Sequence, residues 1–163
     1  MGEANNNLIG ALLIDKPTGL TSHDVVQRVR KHLAVRRVGQ AGTLDPGASG
    51  LLVVLVGKAT KLQPIFLEAE KVYQGIFRLG VTTDTDDADG QIIQTIDCDK
   101  YTEVSHQTAA LNSIKENFSG KISQRPPAFS AIKQAGVPSY RKARSGHLLE
   151  LPHRAVEIVF EDL

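Results

Sequence analysis

The sequence predicts an α+β fold, with a largely antiparallel sheet flanked by helices. Two short apolar runs, residues 9–14 and 50–57, are typical of strands, and other segments space their apolar residues as helices do. The two kinds of element are mixed without the strict alternation of βαβ units. The 163 residues are 41% hydrophobic and 23% charged, which is the composition of a globular protein with a core of its own.

The first predicted elements are a strand, a helix and a second strand. The run "IGALLI" (9–14) reads as a strand that ends before the break at Pro17 and Gly19. Ser22 is the predicted N-cap of the helix, with Asp24 in its first turn. One face of this helix carries Val25, Val26, Val29 and Leu33. The run "GLLVVLVG" (50–57) predicts a buried strand.

Later elements follow from the same patterns. Residues 58–67 predict a short helix interrupted by Pro64, and the alternation in "VYQGIFRLG" (72–80) predicts a strand that carries Tyr73. A turn, "TTDTDDADG", comes next. The remaining predictions are a strand at 91–96, a helix near 103–118 stopped by Gly120, short extended pieces around Pro126 and Pro127, a short helix near 139–145 and a strand at 154–161.

Residues 1–7 are predicted to be a flexible tail and residues 8–163 one domain. No apolar run approaches the roughly 20 residues that span a bilayer, and the N-terminus lacks a signal-peptide pattern. The single cysteine, Cys98, excludes an internal disulfide and suits a reducing cytoplasm. The last strand has no following neighbour with which to pair, so we expect the chain to stop before the domain is complete.

Charge is unevenly distributed although the net charge is only +1. Five basic residues and no acid lie between Val25 and Leu44, and seven basic residues face one acid between Lys121 and Arg154. Residues 84–103 contain seven acids and one lysine. The basic stretches indicate affinity for a polyanion, and an ordinary solvated surface is the alternative.

One carboxylate stands in a loop shaped by glycine and proline. The segment "VGQAGTLDPGASG" (38–50) places Asp45 directly before Pro46, among four glycines. On this loop alone, we favour a side chain that forms the turn by bonding its own backbone. The alternative is a group held towards a ligand.

Other chemistries fail on spacing. Counted from Asp84, the acidic turn has Asp89 where a calcium loop needs glycine and Thr95 where it needs its final glutamate. The five histidines show no paired zinc spacing. The phosphate-loop and G-x-S-x-G patterns are absent. We therefore predict no metal site.

Four segments in order resemble the TruB family of tRNA pseudouridine synthases over nearly all of residues 8–163. They are "LIDKPTGLTSHDVVQRVR", "VGQAGTLDPGASGLLVVLVGKATKL", "KVYQGIFRLGVTTDTDDADG" and "ISQRPPAFSAIKQAGVPSYRKARSG". The resemblance implies the pseudouridine synthase fold and isomerisation of uridine 55 in the tRNA T-loop, without metal or organic cofactor. It implies a cytoplasmic monomer that binds tRNA, with no protein partner and no membrane.

The resemblance also assigns residues. Asp45 matches the catalytic aspartate, which acts as a nucleophile or as a base, and Tyr73 matches the tyrosine that lies against the target base. Lys16 and Pro17 match a Lys-Pro pair that is mainly structural. Two further matches lie in the acidic turn and in the "AR-G" segment, where RNA contacts are expected from Asp87 and Arg144.

Two departures from the family pattern affect the expected activity. Gln40 stands where the family has a histidine that helps hold the flipped-out base, so we expect weaker base flipping. The family's "GTYIR"-like block, whose arginine pairs with the catalytic aspartate, lies outside these 163 residues, as does the C-terminal RNA-binding domain. We therefore expect this chain alone to be inactive or nearly so.

Two other interpretations remain open. The chain could be a non-catalytic RNA-binding fragment or a tRNA-folding chaperone, which would need the basic surfaces but not Asp45. It could also match the family's guide-RNA-dependent relatives, although the turn "TDTDDADG" resembles the stand-alone bacterial type more closely.

Overall fold

The computed structural model describes residues 7–98, 104–125, 133–134, 137–138 and 152–161. The chain divides into two compact units, Met1–Gln74 and Gly75–Leu163. Both units contain helices and strands, and every strand pair in the described residues is antiparallel. This confirms the predicted α+β class, with the strands arranged as one three-stranded sheet and three two-stranded sheets.

Among its described residues, the first unit contains three strands and two α-helices. They are β1 (Gly10–Lys16), α1 (Ser22–Leu33), β2 (Val38–Gln40), β3 (Gly50–Val56) and α2 (Gln63–Glu68), with a 3₁₀ helix at Gly57–Leu62. The predicted first strand, first helix and second strand are confirmed. Pro64 lies in the first turn of α2 instead of interrupting a helix, because proline is tolerated where the backbone N–H has no helical partner.

Strand β3 lies between β1 and β2 in the sheet order β1-β3-β2. One core cluster joins β2 and β3 to α1; its buried members are Val25, Val26, Val35, Val38, Leu52, Val54 and Val56. A second cluster joins Ala41, Leu55 and Ala59, with Phe66 of α2 packed against it. Because apolar groups cover both faces of β3 along most of its length, this strand is apolar throughout instead of alternating.

Helix α1 is capped by Thr21, which corrects the prediction that Ser22 is the N-cap. Thr21 has extended backbone angles, its hydroxyl accepts from the Asp24 N–H, and the Asp24 carboxylate accepts from the Thr21 N–H. This reciprocal pair is a capping box. Two hydroxyl residues adjoin here, and Thr21 has the three-residue spacing to Asp24 that the box requires. Ser22 is therefore free to bond elsewhere.

The capping box predicts how stability depends on pH. The hydroxyl of Thr21, followed by its N–H, lowers the pKa of Asp24 below its usual 3.8 by donating to the ionised carboxylate. The stabilisation is therefore complete above the unfolded-state pKa and is lost as pH falls through the lower folded-state pKa. We expect Asp24→Asn to be less stable than the parent chain at about pH 6. Between about pH 6 and about pH 3, the variant should lose less stability than the parent loses. Urea unfolding at both pH values measures this, and parallel losses would contradict it.

In its described residues, the second unit contains three antiparallel strand pairs and one α-helix. Its elements are β4 (Val81–Thr83), β5 (Ile92–Thr95), α3 (Val104–Phe118), β6 (Gly120–Gln124), β7 (Lys133–Gln134), β8 (Val137–Pro138) and β9 (Arg154–Ile158). The predicted helix near 103–118 and the strands at 91–96 and 154–161 are confirmed. Gly120 follows the end of α3 with a positive φ of 77°, which favours glycine. Strand β9 pairs with β6.

The predicted strand over residues 72–80 is wrong. Residues 71–78 have no strand pairing, and pairing starts only at β4, from Val81. Val72 and Tyr73 are each 70% exposed, and Phe77 is 82% exposed. An alternating pattern forms a strand only where a neighbouring strand accepts its hydrogen bonds. The described part of the chain supplies no such neighbour for this segment.

The predictions for Pro126, Pro127 and the helix near 139–145 lie outside the described residues. None of the helices that the structure describes is long and apolar enough to cross a membrane.

Candidate active site

Asp45 lies in the loop that connects β2 to β3, and its side chain is exposed. The Asp45 carbonyl accepts a 3.1 Å hydrogen bond from the Ala48 N–H, which closes a turn. Its carboxylate has no hydrogen-bond or ion-pair partner among the described residues. The prediction that the side chain forms the turn is therefore wrong, because the backbone forms it. The carboxylate remains available to a ligand.

The start of the Asp45 loop is braced by Gln40, the last residue of β2. The Gln40 side-chain amide donates to the Thr43 hydroxyl at 3.0 Å, and the Gln40 carbonyl accepts from the Gln63 side chain at 2.9 Å. The Ala41 N–H donates to the Val53 carbonyl at 2.8 Å. These contacts fix the chain where it leaves the sheet. The Gln40 side-chain amide therefore stabilises the start of the loop through its bond to Thr43.

The residues on either side of Asp45 are held by the segment that precedes and begins α1. The Ser22 hydroxyl donates to the Leu44 carbonyl at 2.8 Å and accepts from the Leu44 N–H at 2.9 Å. The Gly19 N–H donates to the Pro46 carbonyl at 2.8 Å. Gly19 has a φ of +83°, which favours glycine over residues with a side chain. Asp45 is thus flanked by two backbone anchors.

The Lys-Pro pair lies at the end of β1. Lys16 is fully buried, and its ammonium donates to the carbonyls of Pro17 and Leu20 at 2.9 and 2.8 Å. These bonds close the turn that contains Gly19. Lys16 pairs in the sheet with Gly50, the residue at which the Asp45 loop ends. The buried ammonium therefore organises the turn that contacts the loop and does not itself present a charge to solvent.

In the sequence, Asp45 lies in a stretch that is otherwise basic. Asp45 is the single acid between Val25 and Leu67, a stretch that contains seven arginine and lysine residues. Two of the arginines form hydrogen bonds within the first unit. Arg30 donates to the Val38 carbonyl at 2.7 Å, and Arg37 donates to the Thr60 hydroxyl at 2.7 Å. The exposed members of the set are Arg28, Lys31, Arg36, Arg37, Lys58 and Lys61. Exposed basic side chains of this kind attract a phosphate backbone.

The other predicted site residues are distributed along the chain. Tyr73 is exposed and near the end of the first unit. Asp87 belongs to the second unit, where its carboxylate accepts from the Thr85 hydroxyl at 2.7 Å and from the Asp89 N–H at 3.0 Å. That carboxylate therefore forms the turn, and its contact with RNA stays a prediction. Arg144 lies outside the described residues.

The structure brings Lys16, Pro17, Gln40 and Asp45 into one assembly of turn and loop. The prediction from sequence missed Ser22 and Gly19 as contacts of that loop. The sequence did contain a signal for the role of Ser22. Thr21 has the capping-box spacing to Asp24, so the Ser22 hydroxyl is not needed to cap the helix. Within the described ranges, no group of three or more His, Cys, Asp or Glu side chains is placed to hold a metal ion.

Comparison with known proteins gives consistent matches. The family model for "TruB family pseudouridylate synthase (N terminal domain)" matches residues 30–162. The tRNA pseudouridine synthase B of Opitutus terrae is 42% identical over 158 residues, which are 97% of this chain and 64% of that protein. The protein of the same name from Thermobifida fusca is 47% identical over 149 residues, which are 91% of this chain and 49% of that protein.

Among solved structures, a chain of a Cbf5-Nop10-Gar1 complex is 30% identical, with a TM-score of 0.44, and the match covers 76% of this chain and 31% of that chain.

The chain spans about half to two thirds of the length of the curated relatives described above. The family match covers 133 consecutive residues, including the Asp45 loop. Because the family model matches most of the chain, the chain belongs to the TruB family of pseudouridylate synthases.

Proposed function

We propose that this chain carries the catalytic carboxylate of a tRNA pseudouridine synthase, and that Asp45 is that carboxylate. The observation that carries the proposal is an exposed carboxylate without a protein partner in the described residues, on a loop anchored on both sides. The similarity to proteins named tRNA pseudouridine synthase B supplies the substrate class. The target, by resemblance, is uridine 55 of the T-loop.

The proposed reaction is an isomerisation that needs no added reactant. The N1–C1′ bond of the uridine breaks, the uracil turns, and a C5–C1′ bond forms while the C5 hydrogen leaves and N1 gains a proton. An ionised carboxylate can assist as a nucleophile at C1′ or as a base. A backbone held at Leu44 and Pro46 limits where the Asp45 carboxylate can lie, and either role needs a positioned carboxylate.

Tyr73 and Gln40 are proposed to act on the target base. The uridine must leave its stack before it can react, and an exposed aromatic ring such as that of Tyr73 offers a surface for it. In this chain, the Gln40 side chain bonds Thr43, so its contribution to base flipping would come through the loop. The basic residues of the first unit would hold the phosphates of the RNA.

Loss of tritium from tRNA labelled with [5-³H]uridine tests the function. Because the chain spans only part of its relatives, the assay uses a hybrid in which this chain replaces the matching 64% of the Opitutus terrae protein. We expect the hybrid to release one tritium per tRNA. A folded hybrid that binds tRNA but releases none would instead favour the non-catalytic RNA-binding function.

A further inference from the structure

We infer that Ser22 is a positioning residue for Asp45; this inference rests on the proposed function. Its hydroxyl both donates to the Leu44 carbonyl and accepts from the Leu44 N–H, at 2.8 and 2.9 Å. Leu44 directly precedes Asp45. One buried side chain thus holds both polar backbone groups of the residue before the proposed catalytic carboxylate.

The two hydrogen bonds between Ser22 and Leu44, here called the bridge, are made by a buried side chain. Ser22 is 2% exposed, although it lies in the first turn of a surface helix beside two exposed residues, Thr21 and His23. A serine hydroxyl has one donor and can accept as well, and both capacities are used on Leu44. Removal of the hydroxyl would leave the Leu44 N–H and carbonyl without this partner in a part-buried position.

The bridge also links the loop to an element that is fixed independently. Ser22 begins α1, whose Val25 and Val26 are buried in the core. The helix end itself is completed by the Thr21–Asp24 capping box. Because Thr21 performs the capping, Ser22 contributes little to the helix and much to the loop. A rigid helix start thereby sets the position of the backbone that carries Asp45.

Two adjacent hydroxyl residues give a matched pair of variants. In the full chain, Ser22→Ala should speed hydrogen exchange of the Leu44 amide on the order of tenfold. It should also lower the ¹⁵N order parameter of the Asp45 amide below the value of about 0.85 typical of rigid backbone. Thr21→Ala should change neither. The Ala41 amide, which bonds the Val53 carbonyl, is the internal control.

Single-turnover rates measured on the hybrid distinguish a positioning role of Ser22 from an effect on stability. Ser22→Ala should lower the single-turnover rate roughly 10- to 100-fold, because small misplacements of a reacting group cost about that much. Its tRNA affinity should stay within about twofold of the parent. Ser22→Thr keeps the hydroxyl and should retain more of the rate than Ser22→Ala even where its melting temperature is lower. Thr21→Ala should lose stability but keep the rate.

Unchanged Leu44 exchange in Ser22→Ala would overturn the inference. So would rates that fall equally in Ser22→Ala and Thr21→Ala. If the hybrid with Ser22 intact releases no tritium, the proposed function fails, and the exchange and relaxation measurements on the full chain still decide whether Ser22 holds the loop.

Discussion

Asp45→Asn in the hybrid is expected to lower the rate of tritium release by at least about 10²-fold, and by up to about 10⁴-fold, the range for loss of a positioned acid–base group. Asparagine has nearly the same shape but can neither take a proton nor act as an anionic nucleophile. The backbone bonds at Leu44, Pro46 and Ala48 do not involve the carboxylate. The loop should therefore keep its conformation.

Stability and RNA binding distinguish this result from a folding defect. The Asp45 side chain is exposed and unpartnered among the described residues, so its replacement should change the free energy of unfolding by no more than about 0.5 kcal/mol. Removal of one negative charge should not weaken tRNA affinity. Glu68→Gln, which removes an exposed acid at the end of α2, is the control. If Asp45→Asn retained a substantial rate of tritium release, the catalytic role proposed for Asp45 would be wrong.

Leu52→Ala is expected to destabilise the first unit by about 2–5 kcal/mol, the cost of emptying a close-packed site. Leu52 is 2% exposed and belongs to the cluster that joins β3 to α1. That cost is large against the roughly 5–15 kcal/mol that stabilises an ordinary domain. Because α1 carries Ser22, the variant should also loosen the Asp45 loop at moderate urea concentration.

The neighbouring residue provides the control. Leu51 points to the opposite face of β3, where it is 64% exposed. Leu51→Ala should therefore cost less than about 1 kcal/mol. Urea unfolding followed by far-UV circular dichroism measures both variants. Equal losses for the two leucines would contradict the assignment of the core to the α1 side of the sheet at this position.

The elements that sequence predicted best depend on local information. The apolar run of β3, the helical spacing of Val25, Val26, Val29 and Leu33, and the glycine after α3 are all visible within a few residues. The segment 72–80 has an equally clear alternating pattern. It failed because a strand also depends on a partner from elsewhere in the chain, and local alternation carries no information on that partner.

The site divides in the same way. Asp45 stood out as a carboxylate in a glycine-rich loop, but the loop's chemistry did not reveal which of its groups formed the turn. The roles of Ser22 and Gly19 required the approach of two segments more than twenty residues apart, which no local pattern records. Family resemblance assigned Asp45 a role, and geometry then showed how its backbone is held.

The most direct measurement maps pseudouridine in an unmodified tRNA transcript after incubation with the hybrid and, separately, with its Asp45→Asn variant. Carbodiimide labelling and primer extension locate each pseudouridine. We predict one new stop, at the T-loop uridine, after incubation with the hybrid that keeps Asp45, and no new stop after incubation with the variant. No stop above background in either sample, or the same stop in both, would contradict the assignment of uridine isomerisation to Asp45.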